Sequence, residues 1–238
     1  MRIVFISWSH KRLFMDITSL RQRLEHLVQT HSSVFASEIL ESGLSCARCG
    51  WCCRENFNIR ITENISRPSN AISVLPDDIR HIIKGKGLQW DEIVQPDIYS
   101  CLYDGKNIRL IGWMLKRSEN GTCIFHKNCG CSIYKWRPMI CRCYPFFKGE
   151  QGIEVMHCEA KKNKIDKEKA IEMALLVKRY EMKKLMNYIG IISWLGKKLR
   201  LSDLFQLPHG YEGEVIVCDG VTISQRFIRK EKNGIARI

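Results

Sequence analysis

Within the stretch Ser45 to Arg54 lie four cysteines, Cys46, Cys49, Cys52 and Cys53. A thiolate is a soft ligand that suits zinc, iron and iron–sulfur clusters. The C-x-x-C spacing lets two sulfurs turn onto one metal, and Gly50 suits the tight turn this needs. A centre built on this stretch needs a second wall. The candidate is Gly121 to Phe146, where Cys123, Cys129, Cys131, Cys141 and Cys143 sit among turn residues and aromatics. Cys158 follows a strand-like stretch from Gly152 to Met156.

The chain of 238 residues holds twelve cysteines, more than an ordinary reduced core uses. Disulfide-rich secreted domains are short and follow a signal peptide. Here the apolar run Ile3 to Trp8 is too short for a signal and lacks a small-residue cleavage site. No stretch approaches the ~20 apolar residues of a membrane span. These features predict a cytoplasmic protein, with no membrane partner, whose cysteines are mainly metal ligands.

The formal net charge is +13. Two tetrathiolate centres of about −2 each would lower the excess to about +9. Between Glu159 and Arg200, twelve Lys or Arg accompany five Asp or Glu. A solvated helix face is the plainer reading. The sharper one is a docking face for an acidic or redox protein partner; nucleic acid is an alternative. G-x-G-x-x-G, Walker, H-E-x-x-H and G-x-S-x-G motifs are all absent, so no nucleotide or hydrolase site is indicated. The cysteines also do not follow the C-x-x-x-C-x-x-C pattern of radical S-adenosylmethionine enzymes.

The order Cys46-x-x-Cys49-Gly-x-Cys52-Cys53, Gly-x-Cys123-Ile-Phe, Cys131-x-Ile-Tyr134-x-x-Arg137-Pro138-x-x-Cys141-Arg142-x-Tyr144-Pro145-Phe146 and Cys158 resembles the CxxCxxCC (YkgJ-like) cysteine-cluster family. Leu75-Pro76-Asp77-Asp78-Ile79 also resembles the helix that family carries between its two cysteine regions. The resemblance spans about residues 45 to 160 and implies zinc or iron chelation, with iron–sulfur chemistry and an oxidoreductase role as the family's predicted function. Flagellin lysine N-methylases carry a similar pattern, associated with an iron–sulfur cluster and S-adenosylmethionine. The matched thiols, taken as metal ligands, are Cys46, Cys49, Cys52, Cys53, Cys123, Cys131, Cys141 and Cys158. Eight thiols make one or two four-coordinate centres. Adjacent Cys52 and Cys53 are expected to serve different centres. Cys129 and Cys143 read as buried small hydrophobes, and Cys101 and Cys218 as ordinary thiols. Arg54, Arg137 and Arg142 either offset a buried anionic cluster or hold a substrate carboxylate or phosphate. His126 and His157 lie beside cysteines but are not needed as ligands.

The elements that must position these residues follow from local pattern. A helix opens at Met15-Asp16, capped by Asp16 or Thr18, with Leu20, Leu24, Leu27 and Val28 as its apolar stripe. Met15 is also the expected native start, a point N-terminal sequencing decides. A weaker helical signal runs from Ser37 to Leu44. Asn58 to Thr62 alternates as a strand, and residues 63–72 read as a loop. Pro76 with Asp77 and Asp78 starts a helix that runs to about Lys84, ended by Gly85 and Gly87. A short helix covers Gln89 to Val94. Residues 98–115 read as strands around a turn at Asp104-Gly105. Ile133 to Trp136 could form one helical turn. Residues 166–195 form the longest helix, capped by Asp166, with Ile171, Leu175, Met182, Leu185, Met186 and Ile189 recurring on it and Gly190 as a bend. Glu214 to Val217 and Val221 to Ser224 form a hairpin around Asp219-Gly220.

The predicted fold is α+β, an irregular cysteine-rich metal-binding core with flanking helices and short antiparallel strands. Three segments are expected: 1–44, the N-terminal helix; 45–160, the metal-binding region; and 161–238, a basic helix with a hairpin tail. The expected function is a metal-binding protein with one or two cysteine-ligated centres, iron–sulfur and of 4Fe–4S type, in a redox or electron-transfer role. Zinc is the alternative metal. The alternative functions are an S-adenosylmethionine-dependent protein lysine methylase and a zinc-stabilised nucleic-acid-binding module.

Overall fold

The computed structural model describes residues 14–15, 17–46, 48–54, 58–60, 66–68, 71–97, 101–103, 108–110, 112–127, 130–156, 165–195, 199–200, 212–218, 223–230 and 236–237. In chain order these form β1 (Phe14–Met15), α1 (Ile17–Gln29), α2 (Ser32–Ser42), α3 (Trp51–Arg54), β2 (Asn58–Arg60), β3 (Ser66–Pro68), β4 (Ser73–Val74), α4 (Pro76–Lys86) and α5 (Trp90–Ile93). They continue with β5 (Val94–Pro96), β6 (Cys101–Tyr103), β7 (Ile108–Leu110), β8 (Trp113–Leu115), β9 (His126–Lys127) and β10 (Gly130–Cys131), then a 3₁₀ turn (Tyr134–Trp136) and α6 (Met139–Cys143). The last are β11 (Phe146–Lys148), β12 (Ile153–Val155), α7 (Lys167–Leu195), β13 (Leu199–Arg200), β14 (Glu212–Cys218), β15 (Ile223–Lys230) and β16 (Ala236–Arg237). The fold is α+β, as the sequence predicts.

Helix ends follow the capping chemistry of the sequence. Pro76 opens α4, where its missing N–H costs nothing, and the Asp78 carboxylate accepts the Leu75 N–H at 3.3 Å. Gly87 closes α4 at φ 68°, a left-handed conformation that glycine adopts without penalty. At α7, Asp166 Oδ1 accepts the Lys169 N–H at 2.8 Å, confirming the expected cap.

Two hydrophobic cores result. The helical core packs α1, α2 and α7 through Leu20, Leu27, Phe35, Ile39, Ala170, Ala174, Val177 and Leu185, and takes in Cys143 and Phe146. The second core lies on the antiparallel sheet β4-β8-β5, covered by α4 and α5. Its residues include Val74, Ile79, Ile82, Ile93, Trp113, Leu115, Cys123, Phe125 and Ile133. The C-terminal hairpin β14-β15 is longer than expected and joins β7 in parallel, within the sheet β16-β15-β14-β7-β6.

Several expectations are corrected. Helix α2 begins at Ser32, five residues early, because the His31 side chain accepts the Ser33 N–H. Residues 66–68 of the expected loop pair with Asn58–Arg60 as a strand. On α7 half of the expected stripe packs in the core, with Leu185 buried and Met182 and Ile189 against it, whereas Ile171, Leu175 and Met186 are 40%, 51% and 57% exposed. The packed face uses Ala170, Ala174 and Val177, small side chains that let α1 and α2 approach closely. Val28 is exposed for a similar reason, off the face that Leu20 and Leu27 bury. The helix also runs unbroken through Gly190. Several α7 lysines act within the protein: Lys169 pairs with Asp166, Lys183 with Asp77 and Lys184 with Glu181, while Lys178 caps the Val28 and Thr30 carbonyls.

Helix α4 also runs past Gly85, where a Cβ would run into the Trp136 indole. Alanine favours a helix interior over glycine by ~1 kcal/mol, whereas overpacking costs ~1–3 kcal/mol. Gly85→Ala is therefore expected to destabilise the protein by about 1–2 kcal/mol. Chemical denaturation measures this, and a more stable variant would contradict the packing described.

Candidate metal centre

The first cysteine segment turns through Arg48, at φ 57°, and Gly50, at φ 72°, into the single turn of α3. The Cys53 N–H closes that turn on the Gly50 carbonyl at 3.0 Å. The second segment is tied to it directly. The Cys123 N–H donates to the Cys53 carbonyl at 2.9 Å, and Cys123 bridges Arg117 in an antiparallel pair. The antiparallel pair β9-β10 then sets Cys131 opposite His126. After the 3₁₀ turn, Pro138 leads into α6. The Asp78 carboxylate accepts the Met139 N–H there at 2.9 Å, so one buried side chain ties the starts of α4 and α6 and places Cys141.

These segments enclose a cavity of about 310 Å³. Seven thiols line it: Cys46, Cys49, Cys52, Cys53, Cys123, Cys131 and Cys141. Ile72, Leu115, Phe125 and Ile133 supply apolar walls, and Arg48, Tyr134, Arg137 and Tyr144 also face it. Cys46 and Cys49 are exposed, while Cys123 is buried, so the cavity opens on the side of the first C-x-x-C.

The thiols interact with one another. Hydrogen bonds from Cys123 and Cys52 pull the Cys53 thiol far down toward the thiolate. The donors move the other way: Cys52 and Cys123 are raised, chiefly by holding their protons toward Cys53 and then by burial. Burial also raises Cys131 and Cys141. Thiols that share protons in this way would release them when a metal binds. His126 lies near enough to Cys53 to favour that thiolate, and its Nε2 is buried without a hydrogen-bond partner among the described residues.

The donor chemistry fits a thiophilic metal group. Four sulfurs on one zinc lie ~3.8 Å apart, from bonds of ~2.3 Å in a tetrahedron. Among the described residues, no group of three His, Cys, Asp or Glu side chains converges in this way. Cys52, Cys53 and Cys123 lie close enough to share hydrogen bonds, and the other four thiols border the same cavity.

The structure thus brings together seven of the eight thiols expected as ligands, and Cys158 lies outside the described residues. So do Cys129, His157 and the side chains of Cys101 and Cys218. Cys52 and Cys53 line the same cavity, on adjacent positions of α3. Cys143 faces the helical core, and burial pushes its thiol up to about 12. Of the three arginines singled out, only Arg137 lines the cavity; Arg142 is exposed, and Arg54 donates to the Cys49 carbonyl at 3.2 Å. Arg48 was missed, although its place between two ligand cysteines could have flagged it.

This geometry separates the cysteines by role. Cys53→Ser and Cys123→Ser are expected to lower bound metal at least tenfold. Cys143→Ala should keep its metal while losing about 1 kcal/mol of stability through the core. Metal content per chain, with denaturation of the same samples, checks both. Full metal in the first two variants would contradict the assignment.

Residues 45–169 match the family model CxxCxxCC, described as "Putative zinc- or iron-chelating domain". No curated protein and no solved structure matches the chain. The match spans more than half of the 238 residues and includes all seven cavity thiols, which supports a metal-binding role. The chain belongs to the CxxCxxCC family.

Proposed function

We propose that the cavity holds an iron–sulfur centre of 4Fe–4S type and that the protein carries out an electron-transfer or redox step. The observation that carries this reading is the lining itself. Seven thiols surround about 310 Å³, and no Asp, Glu or His among the described residues lines the space. An all-sulfur donor set suits iron–sulfur clusters and zinc, and disfavours magnesium, calcium and manganese. The volume favours the larger group, because a lone zinc ion fills little of it and would draw four sulfurs close. Four thiolates hold one cluster, so three of the seven remain, and a second four-thiolate centre would need Cys158 as well.

When bound, such a cluster supplies one-electron transfer at a potential set by hydrogen bonds, charge and burial around it. The chain's residues set those conditions. Leu115, Phe125 and Ile133 exclude water from one side. Arg137 places a positive charge near Cys53, Cys131 and Cys141, which favours their thiolate forms. A site of free thiols belongs in a reducing compartment such as the cytoplasm.

Protein purified without oxygen is expected to be coloured, to contain iron and acid-labile sulfide in equal amounts, and to bleach on reduction with dithionite. Colourless protein carrying zinc and no sulfide would overturn this reading.

A further inference from the structure

At the rim of the cavity two arginines share one aromatic ring. The Arg137 guanidinium carbon lies 3.6 Å from the centroid of Tyr134, and that of Arg48 lies 4.8 Å from it. Both contacts fall within the range of cation–π attraction. Attraction to the ring holds each guanidinium in place while its N–H groups can still bond elsewhere. Arg137 uses one of them, Nε, to reach the Tyr134 carbonyl at 3.1 Å. A guanidinium has five donors in a planar fork, so most of the edge remains. Among the described residues, neither Arg48 nor Arg137 has a carboxylate partner. Elsewhere the fold does pair its charges, as with Lys183 and Asp77 or Lys184 and Glu181.

Compensation of thiolate charge accounts for part of this. Arg137 lies close enough to Cys53 and Cys141 to favour their thiolates. It does not account for Arg48, which is exposed on the open side of the cavity, between exposed Cys46 and Cys49. Two cations held beside one ring repel each other unless an anion joins them. Tyr134 is 38% exposed, so a ligand can reach it from solvent.

We propose that Arg48, Tyr134 and Arg137 form an oxyanion-binding site at the mouth of the cavity, which takes the carboxylate or phosphate group of a small substrate or ligand. The planar forks match either group in a bidentate mode, which a lysine cannot reproduce. The remainder of the molecule would then point toward the thiol-lined space. The site rests on the reading of the cavity as a metal centre, but it holds for zinc as well as for an iron–sulfur cluster.

The test is calorimetric titration of the metal-loaded full chain with malonate and with inorganic phosphate, at constant ionic strength. Saturable binding of either is expected. Tighter malonate identifies a carboxylate ligand, and tighter phosphate identifies a phosphorylated one. Arg48→Gln and Arg137→Gln should each weaken binding about tenfold or more, the scale of a lost charged hydrogen bond. Arg48→Lys keeps the charge and should still weaken it, because the fork is lost. Metal content on the same samples separates this test from that of the centre itself, and Arg48→Gln is expected to retain its metal. If Arg137→Gln loses metal, the two Arg48 variants carry the test. No saturable binding to the loaded wild type, or unchanged binding in metal-replete Arg48→Gln, would overturn the proposal.

Discussion

One main-chain hydrogen bond, from the Cys123 N–H to the Cys53 carbonyl at 2.9 Å, joins the two cysteine segments. Closing the intervening loop of about seventy residues costs roughly 4 kcal/mol in chain entropy. One backbone hydrogen bond returns only about 1 kcal/mol net. The balance must come from burial around the join. Ile79, Ile82, Ile93 and Ile133 are fully buried there, and a side chain of that size contributes ~1.5–3 kcal/mol. The small sheet and helices α4 and α5 therefore close the loop, and the thiols inherit their proximity from that core. The cavity's apolar walls are part of that same packing.

Helix α6 shows how the same chain serves two cores. Cys141 and Cys143 are two positions apart on it, about 200° around the helix axis. One thiol therefore faces the cavity and the other faces α7 and Phe146. A helix of five residues holds this orientation because both ends are tied. Asp78 accepts the Met139 N–H at its start, and the Tyr144 N–H donates to the Ile140 carbonyl at its end. Burial raises Asp78, and its two backbone donors and nearby Lys183 counter that effect. The helical bundle of α1, α2 and α7 thus acts on the cavity indirectly, by supporting the far side of α6.

Much of this could be read from residue types. The cysteine spacing identified the cavity wall, and Pro76 with Asp77 and Asp78 identified the helix that packs behind it. The Asp166 cap and the C-terminal hairpin were also visible, because local patterns dictate them. What escaped depends on contacts between distant segments. The packed face of α7 is written in Ala170 and Ala174, whose value is close approach, while the larger Leu175 and Met186 stay outside. Gly85 looked like a helix stop, yet its missing Cβ makes room for Trp136. Cys52 and Cys53, about 100° apart on one helical turn, border the same cavity, a closeness that depends on the turn and not on their adjacency alone. Arg48 stood out only once its stacking on Tyr134 was visible.

The central claim is that thiols from both segments bind metal as one unit. Alkylation footprinting by mass spectrometry, across a series of metal loadings, tests it most directly. The account predicts that Cys46 to Cys53 and Cys123 to Cys141 gain protection together, along one loading curve, while buried Cys143 stays protected throughout. Protection of one segment alone, or of the two at clearly different loadings, would contradict it.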